Sequence, residues 1–104
     1  MPDRLARDTA AFIKENKDKP FLAYLSFYSV HTPLMGRPDL VEKYKERAAA
    51  IEGKEFGREE QIFGDKPRKV RMLQKHAVYA AMVDAMDQAV GKVLQQIDLS
   101  LIHI

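Results

Sequence analysis

An apolar run at residues 21–28, FLAYLSFY, constrains the fold of this chain more than any other feature. It is rich in aromatic residues and lacks the alternation of a half-buried strand, so it predicts a strand covered on both faces, as inside a parallel sheet. A short buried helix is the competing interpretation. A single buried strand cannot satisfy its own ladder hydrogen bonds. The strand therefore needs neighbours from another chain, or from a larger protein of which this chain is a piece.

Three amphipathic helices are predicted around this strand. The first covers residues 2–16, and Pro20 ends the turn that follows it. The second runs from residue 39 to about residue 50, with Pro38 in its first turn. The third covers roughly residues 76–98, because its apolar side chains recur at steps of three and four. Its predicted core positions are Val78, Met82, Ala85, Met86, Ala89, Val90, Val93, Leu94 and Ile97.

The remaining segments are predicted to be loops. Residues 29–38 contain two prolines and a glycine and leave the carboxyl end of the strand. Residues 51–75 carry scattered glycines and mixed charge, which indicates a long surface loop or insertion with room for one helical turn. The predicted class is α/β, in the order helix, strand, helix, long loop, helix. The strand would belong to a larger, mostly parallel sheet.

Composition excludes several classes of function. Seventeen Lys and Arg residues against fifteen Asp and Glu leave a net charge of +2, so the chain is not built as a nucleic-acid-binding protein. The absence of cysteine removes disulfides, zinc-thiolate sites and thiol nucleophiles. The longest apolar run is far shorter than the ~20 residues of a membrane span.

The final residues, 99–104, break the helical pattern and match the in-frame translation of a commonly used transposon adapter. We expect a sequencing read that ran into adapter, so that the protein segment is 1–98 and His103 has no function. A genuine apolar tail is the alternative.

His31 is the leading candidate for a site residue. It follows the predicted strand directly, at the edge where open α/β sheets bind their ligands. Imidazole can donate a hydrogen bond to an anionic oxygen, or protonate a departing alkoxide, near neutral pH. The alternative is a loop histidine that only caps a turn with Thr32 and Pro33.

Other polar residues are predicted to be structural. His76 stands at the start of the third helix, where a polar cap is useful. Asp84 and Asp87 lie three apart and are predicted to form a solvated helix face. A basic cluster is predicted to be solvated, with contact to an anionic glycan or nucleic acid as the alternative. Its members are Lys66, Arg68, Lys69, Arg71 and Lys75.

Two stretches resemble the sulfatase family. Residues 19–34, KPFLAYLSFYSVHTPL, resemble the segment in which a buried strand ends in a histidine followed two positions later by proline. Residues 78–94, VYAAMVDAMDQAVGKVL, resemble the long helix that precedes the family's downstream metal-binding strand. The resemblance covers most of residues 3–98 and is weakest between 50 and 75.

The resemblance implies an alkaline-phosphatase-like α/β fold, with residues 1–98 as an internal portion of the catalytic domain. Family members hydrolyse sulfate esters with a formylglycine nucleophile, made within a C/S-x-P-S-R motif, and usually a calcium ion. Only His31 matches a family active-site position, so the resemblance gives it both a catalytic and a substrate-binding role, in contact with the sulfate near the leaving-group oxygen. The substrate would be a sulfate ester, with sulfated carbohydrates as one candidate class, and the parent protein would be periplasmic or secreted.

The chain departs from the family pattern in three ways. It has no C/S-x-P-S-R motif, no upstream metal-binding aspartates and no downstream Asp-Asn pair. We therefore expect the chain alone to be inactive and to supply no metal ligand. Two alternatives stay open: a phosphate or phosphonate monoester hydrolase of the same superfamily, or a small non-catalytic helical module that binds an anionic partner through the basic loop at residues 66–75.

Overall fold

Three helices and one antiparallel ribbon make up the computed structural model of the chain, which describes residues 1–59 and 67–101. Helix α3 contacts both α1 and α2, so it is the central element of this part of the chain. The elements are α1 (Pro2–Asn16), α2 (Pro38–Ala49), β1 (Phe56–Glu59), β2 (Arg68–Arg71) and α3 (Ala77–Leu101).

All three predicted helices are confirmed. Helix α1 has the predicted bounds, and α2 begins one residue earlier, at Pro38. Proline suits the first turn of a helix because its missing N–H would have no partner there. Helix α3 ends at Leu101, three residues beyond the predicted end, so residues 99–101 continue the helix. The origin of that tail stays a prediction.

The start of α3 confirms the predicted role of His76. The backbone N–H of Tyr79 donates to Nδ1 of His76 at 3.2 Å, which gives one free donor of the first turn a partner. His76 is therefore a helix cap.

Small side chains on α3 form the contact surface for the other helices. Ala81, Ala85 and Ala89 recur every four residues and are at most 5% exposed. Such side chains let helix backbones approach closely. Leu40 of α2 packs with Ala81 and Ala85, while Ile13 of α1 is also buried. The predicted core position Met82 is buried and Met86 is half-buried. The prediction is wrong for Val90 and Leu94, which are 40% and 54% exposed.

The predicted strand at residues 21–28 is not formed. The segment has no regular secondary structure, and Leu22 and Tyr24 are 89% and 91% exposed. Its contact with α1 includes an edge-to-face pair of Phe21 and Phe12, with ring centroids 5.7 Å apart. The physical reason is the missing partner: the strands described, β1 and β2, pair with each other and not with this segment, so its backbone has no ladder to join.

The predicted long loop at residues 51–75 contains the ribbon instead. Strands β1 and β2 pair antiparallel, with Phe56 opposite Arg71 and Glu59 opposite Arg68. The described order is thus helix, helix, ribbon, helix, and its one sheet is not parallel. The strands FGRE and RKVR are only four residues long and contain few residues that favour strands, so their sequence pattern predicts a loop.

Some sequence predictions lie outside the described residues, namely those on Lys66 and His103. Among the helices that are described, none has both the length and the hydropathy needed to cross a bilayer.

Candidate functional site

His31 lies in an exposed turn between residues 21–28 and α2. Its backbone N–H donates to the carbonyl oxygen of Tyr28 at 2.9 Å, and ring atom Nδ1 lies 2.7 Å from the carbonyl oxygen of Thr32. A carbonyl oxygen only accepts, so Nδ1 carries hydrogen and donates. The ring therefore caps its own turn through Nδ1, as the alternative interpretation expects. Atom Nε2 has no hydrogen bond to the described part of the chain and is free to meet a ligand.

An open cavity of about 460 Å³ lies beside His31. Two hydroxyl-bearing side chains and the imidazole give its wall hydrogen-bonding groups suited to an anionic oxygen. The lining residues are Phe27, Tyr28, Ser29, Val30 and His31. None of these described lining residues is a cysteine or carries a carboxylate, and His31 contributes the imidazole.

Arg37 anchors the segment that follows His31. Its Nε and Nη2 donate to the two carboxylate oxygens of Asp39 at 2.7 and 2.9 Å. Its Nη1 lies 3.5 Å from the carboxylate of Asp3, and its Nη2 donates to Gln88 at 3.3 Å. The hydrogen bonds with Arg37 lower the pKa of Asp39. One guanidinium group thus joins the start of α1, the start of α2 and the middle of α3.

Gly36 lets this segment pass close to α3. A Cβ atom built at Gly36 would lie 2.6 Å from Cγ2 of Val41 and 3.1 Å from Cβ of Ala81. Real Cβ atoms do not approach other atoms so closely, so the backbone can lie here only because the residue is glycine. The loop that carries His31 therefore packs closely against α2 and α3 at its C-terminal end, around Gly36.

The prediction that Asp84 lies on a solvated helix face is wrong. Its carboxylate accepts hydrogen bonds from Lys43 at 2.8 Å, Tyr44 at 2.8 Å and Gln88 at 2.9 Å, and its side chain is only 11% exposed. The hydrogen bond from Lys43, then those from Gln88 and Tyr44, lower the pKa of Asp84 to about 2. Asp84 is thus a bridge between α2 and α3 and not part of a solvated face. Asp87 is exposed as predicted.

A larger cavity, about 930 Å³, lies next to this bridge. It shares no residue with the cavity at His31, so the two are separate places on the chain. Its lining residues are Lys43, Tyr44, Arg71, Gln74, His76, Tyr79, Ala80, Val83, Asp84 and Asp87.

The carboxylates at residues 1–59 and 67–101 do not fit a calcium site. Within residues 1–59 and 67–101, no three His, Asp or Glu side chains lie together as metal ligands would. Asp84 is already engaged by three donors, and Asp3 and Asp39 face Arg37.

Comparison with known proteins gives a consistent result. The Sulfatase family model matches residues 1–101. The chain is 31% identical over 100 residues to a protein named Sulfatase from Formosa agariphila, covering 94% of this chain and 14% of that protein. It is 28% identical over 98 residues to the steryl-sulfatases of Rattus norvegicus and Homo sapiens, covering 94% of this chain and 12% of each. The chain thus spans between 12% and 14% of the length of these relatives.

Proposed function

The chain belongs to the sulfatase family, and from this membership we propose that it is part of an enzyme that hydrolyses sulfate esters, with His31 in contact with the substrate. The family implies an alkaline-phosphatase-like α/β fold. The chain contains neither cysteine nor a C/S-x-P-S-R motif. The nucleophile and the metal ligands would therefore come from parts of the enzyme outside this chain.

The observation that carries the proposal is the orientation of the His31 ring. With Nδ1 donating to the carbonyl oxygen of Thr32, the ring is held by its own turn while Nε2 is left open. When a backbone carbonyl accepts a hydrogen bond from Nδ1, the neutral ring has its hydrogen on Nδ1 and its lone pair on Nε2. This arrangement suits a residue that must present one nitrogen to a substrate.

Proton transfer from Nε2 is the chemistry proposed for His31. When the sulfur–oxygen bond of the ester breaks, negative charge develops on the leaving-group oxygen. The imidazolium form of His31 donates the Nε2 proton to that oxygen, or a hydrogen bond to a sulfate oxygen, and Nδ1 keeps its bond to Thr32 throughout. The neutral ring that results has a lone pair on Nε2 and can take up a proton again.

The test is substitution of His31 in the full-length enzyme. His31→Ala and His31→Gln are expected to lower kcat on an alkyl sulfate by roughly 10²–10⁴-fold, the range for loss of a positioned acid or base. The loss should be smaller on 4-nitrophenyl sulfate, because that leaving group departs without needing a proton. His76→Gln is the matched control, since His76 caps α3 and does not line the cavity at His31, and it should leave turnover unchanged on both substrates.

Two results would count against this function. Unchanged turnover in His31→Ala would remove the residue from the active site. Faster hydrolysis of a phosphate monoester than of the matching sulfate ester would favour the related phosphate hydrolases instead.

A further inference from the structure

The β1–β2 ribbon gathers cations on one of its faces. Phe56 stands opposite Arg71, and Arg58 stands opposite Lys69. Residues directly opposite in an antiparallel pair, and residues two apart along a strand, point to the same side. The ring of Phe56 confirms this, because Nζ of Lys69 lies 3.8 Å and Cζ of Arg71 lies 4.6 Å from its centroid. Three cations and one aromatic ring therefore share this face.

Two of these cations form no ion pair with an acid at residues 1–59 or 67–101. Arg71 pairs with Glu55 at 2.6 Å. Arg58 and Lys69 form no ion pair with the acids in the described part of the chain, although both are exposed. Like charges directly opposite each other across a ribbon repel and destabilise it. An anion placed between Arg58 and Lys69 would turn that repulsion into attraction.

An open cleft of about 710 Å³ lies at this face, and we call it the basic cleft. None of its described lining residues is acidic, so the positive charges around the opening add to one another. Its lining residues are Lys54, Phe56, Gly57, Arg58, Pro67 and Lys69.

We propose that the basic cleft binds sulfate groups of a sulfated carbohydrate chain. This inference rests on the proposed function, and it deepens that function by naming the substrate class. The cleft shares no residue with the cavity at His31, so it would hold sulfate groups other than the one being cleaved. The guanidinium of Arg58 matches two sulfate oxygens with its forked N–H groups, and Lys54 and Lys69 add positive charge.

The ring of Phe56 favours a sulfated carbohydrate over a single-stranded nucleic acid. Proteins bind single-stranded nucleic acid by stacking bases on exposed aromatic rings. Here Lys69 and Arg71 lie over the ring of Phe56, which fixes the cations and leaves the ring less open to a base. Cations held in place before binding lose less freedom on binding, which favours a ligand recognised by charge.

Binding of the 104-residue chain to dextran sulfate tests the proposal, with uncharged dextran as the comparison polymer. We expect binding to dextran sulfate alone, weakening as salt is raised. The double variant Arg58→Gln/Lys69→Gln should bind roughly tenfold more weakly, from the loss of two charge-assisted contacts. The matched variant Lys14→Gln/Lys17→Gln removes the same charge from exposed positions near the end of α1 and should bind within about twofold of wild type.

Three results would overturn the proposal. Equal weakening in both double variants would mean that net charge alone drives binding. Tighter binding of single-stranded DNA than of dextran sulfate would remove the carbohydrate assignment. A lower melting temperature for Arg58→Gln/Lys69→Gln than for the matched variant, with a proportionate loss of binding, would give these residues a structural role.

The two proposals can fail separately. In the full-length enzyme, Arg58→Gln/Lys69→Gln should leave turnover of a small aryl sulfate unchanged and raise KM for a sulfated polysaccharide. His31→Ala should lower turnover of a small alkyl sulfate by roughly 10²–10⁴-fold and leave dextran sulfate binding intact. If Arg58→Gln/Lys69→Gln leaves KM for the polysaccharide unchanged, while His31→Ala still lowers turnover of the small substrate, the proposal for the basic cleft is wrong. The proposed hydrolase function is then unaffected.

Discussion

At the scale of single residues, Asp84 illustrates how one carboxylate can hold two helices together. Its oxygens accept from Lys43 and Tyr44 of α2 and from Gln88 of its own helix. These bonds favour the ionised carboxylate, which is why its pKa falls from 3.8 to about 2. Folding therefore becomes linked to the ionisation of this group.

The first prediction concerns the pH dependence of Asp84→Asn. A carboxyl group whose pKa is lowered by folding stabilises the folded chain above its unfolded pKa, and the effect is lost as pH falls through its folded pKa. At pH 7 the substitution should lower the free energy of unfolding by about 1–2 kcal/mol, because the amide keeps some hydrogen bonds but loses the charge. The difference from wild type should shrink between pH 4 and pH 2 and be nearly gone at pH 2. Urea titrations at several pH values measure it.

Asp87→Asn is the control for that measurement. Asp87 lies three residues further along α3, carries the same charge and is exposed. Its substitution should change the free energy of unfolding by less than about 0.5 kcal/mol at every pH. A loss in Asp84→Asn that stayed the same size at pH 2 would show that the carboxylate's charge is not its cause.

The residues of the site differ in how far the sequence reveals them. His31 could be predicted, because its residue type and its place after an apolar run are both local signals. The bonds from Arg37 to Gln88 and from Lys43 to Asp84 join residues more than forty positions apart. A single sequence holds no local signal for such pairs, since each residue alone looks like an ordinary exposed helix residue.

At the scale of elements, periodicity predicts the helices well and the strands poorly. Helix α1 has amphipathic spacing and a proline at its start, and its bounds match the prediction. The apolar pattern of residues 21–28 predicts a strand, but a strand also requires a neighbouring edge, and a local pattern does not supply one. Periodicity does not predict the ribbon, because its short strands are stabilised by cross-strand contacts such as those of Phe56 with Lys69 and Arg71.

Two glycines give a paired prediction about the helices. Gly91→Ala should raise the free energy of unfolding by about 0.5–1 kcal/mol, because Gly91 is inside α3 and a Cβ there meets nothing within 4 Å. Gly36→Ala should lower it by about 1–3 kcal/mol, because the added Cβ would meet Val41 and Ala81. Thermal denaturation of both variants measures the difference. If Gly36→Ala is as stable as wild type, Gly36 does not pack against α3 as closely as described.

At the scale of the whole molecule, the chain is much more open than a compact domain. Its Cα radius of gyration is 19.0 Å, against about 13 Å for a compact domain of this length. The segment at residues 21–28 contributes to the exposed apolar surface, with Leu22, Tyr24 and Tyr28 all at least 75% exposed. Exposed apolar surface of this kind usually binds another protein surface or leads to aggregation.

We predict that the isolated chain self-associates through this segment. Sedimentation velocity should show a weight-average mass that rises with concentration, and Leu22→Lys/Tyr24→Lys should move the chain toward the monomer. The helical circular dichroism should be unchanged, because both side chains are about nine-tenths exposed and make few contacts to lose.

The control adds the same charge at exposed apolar positions of α3. Leu94 and Leu99 are 54% and 67% exposed, and their double substitution to lysine should leave association nearly unchanged. If that variant became monomeric to the same degree, added charge and not the loss of the apolar segment would explain the effect.

The packing of α1 on α3 has a consequence for the order of events during synthesis. About sixty residues separate the end of α1 at Asn16 from the start of α3 at Ala77. A ribosome adding 5–20 residues per second needs roughly 3–12 s to make them. For that interval α1 has no partner helix, and the apolar segment at residues 21–28 leaves the ribosome before α3 does. A nascent-chain chaperone therefore has seconds in which to bind this stretch, and α1 is translated well before it can dock on α3.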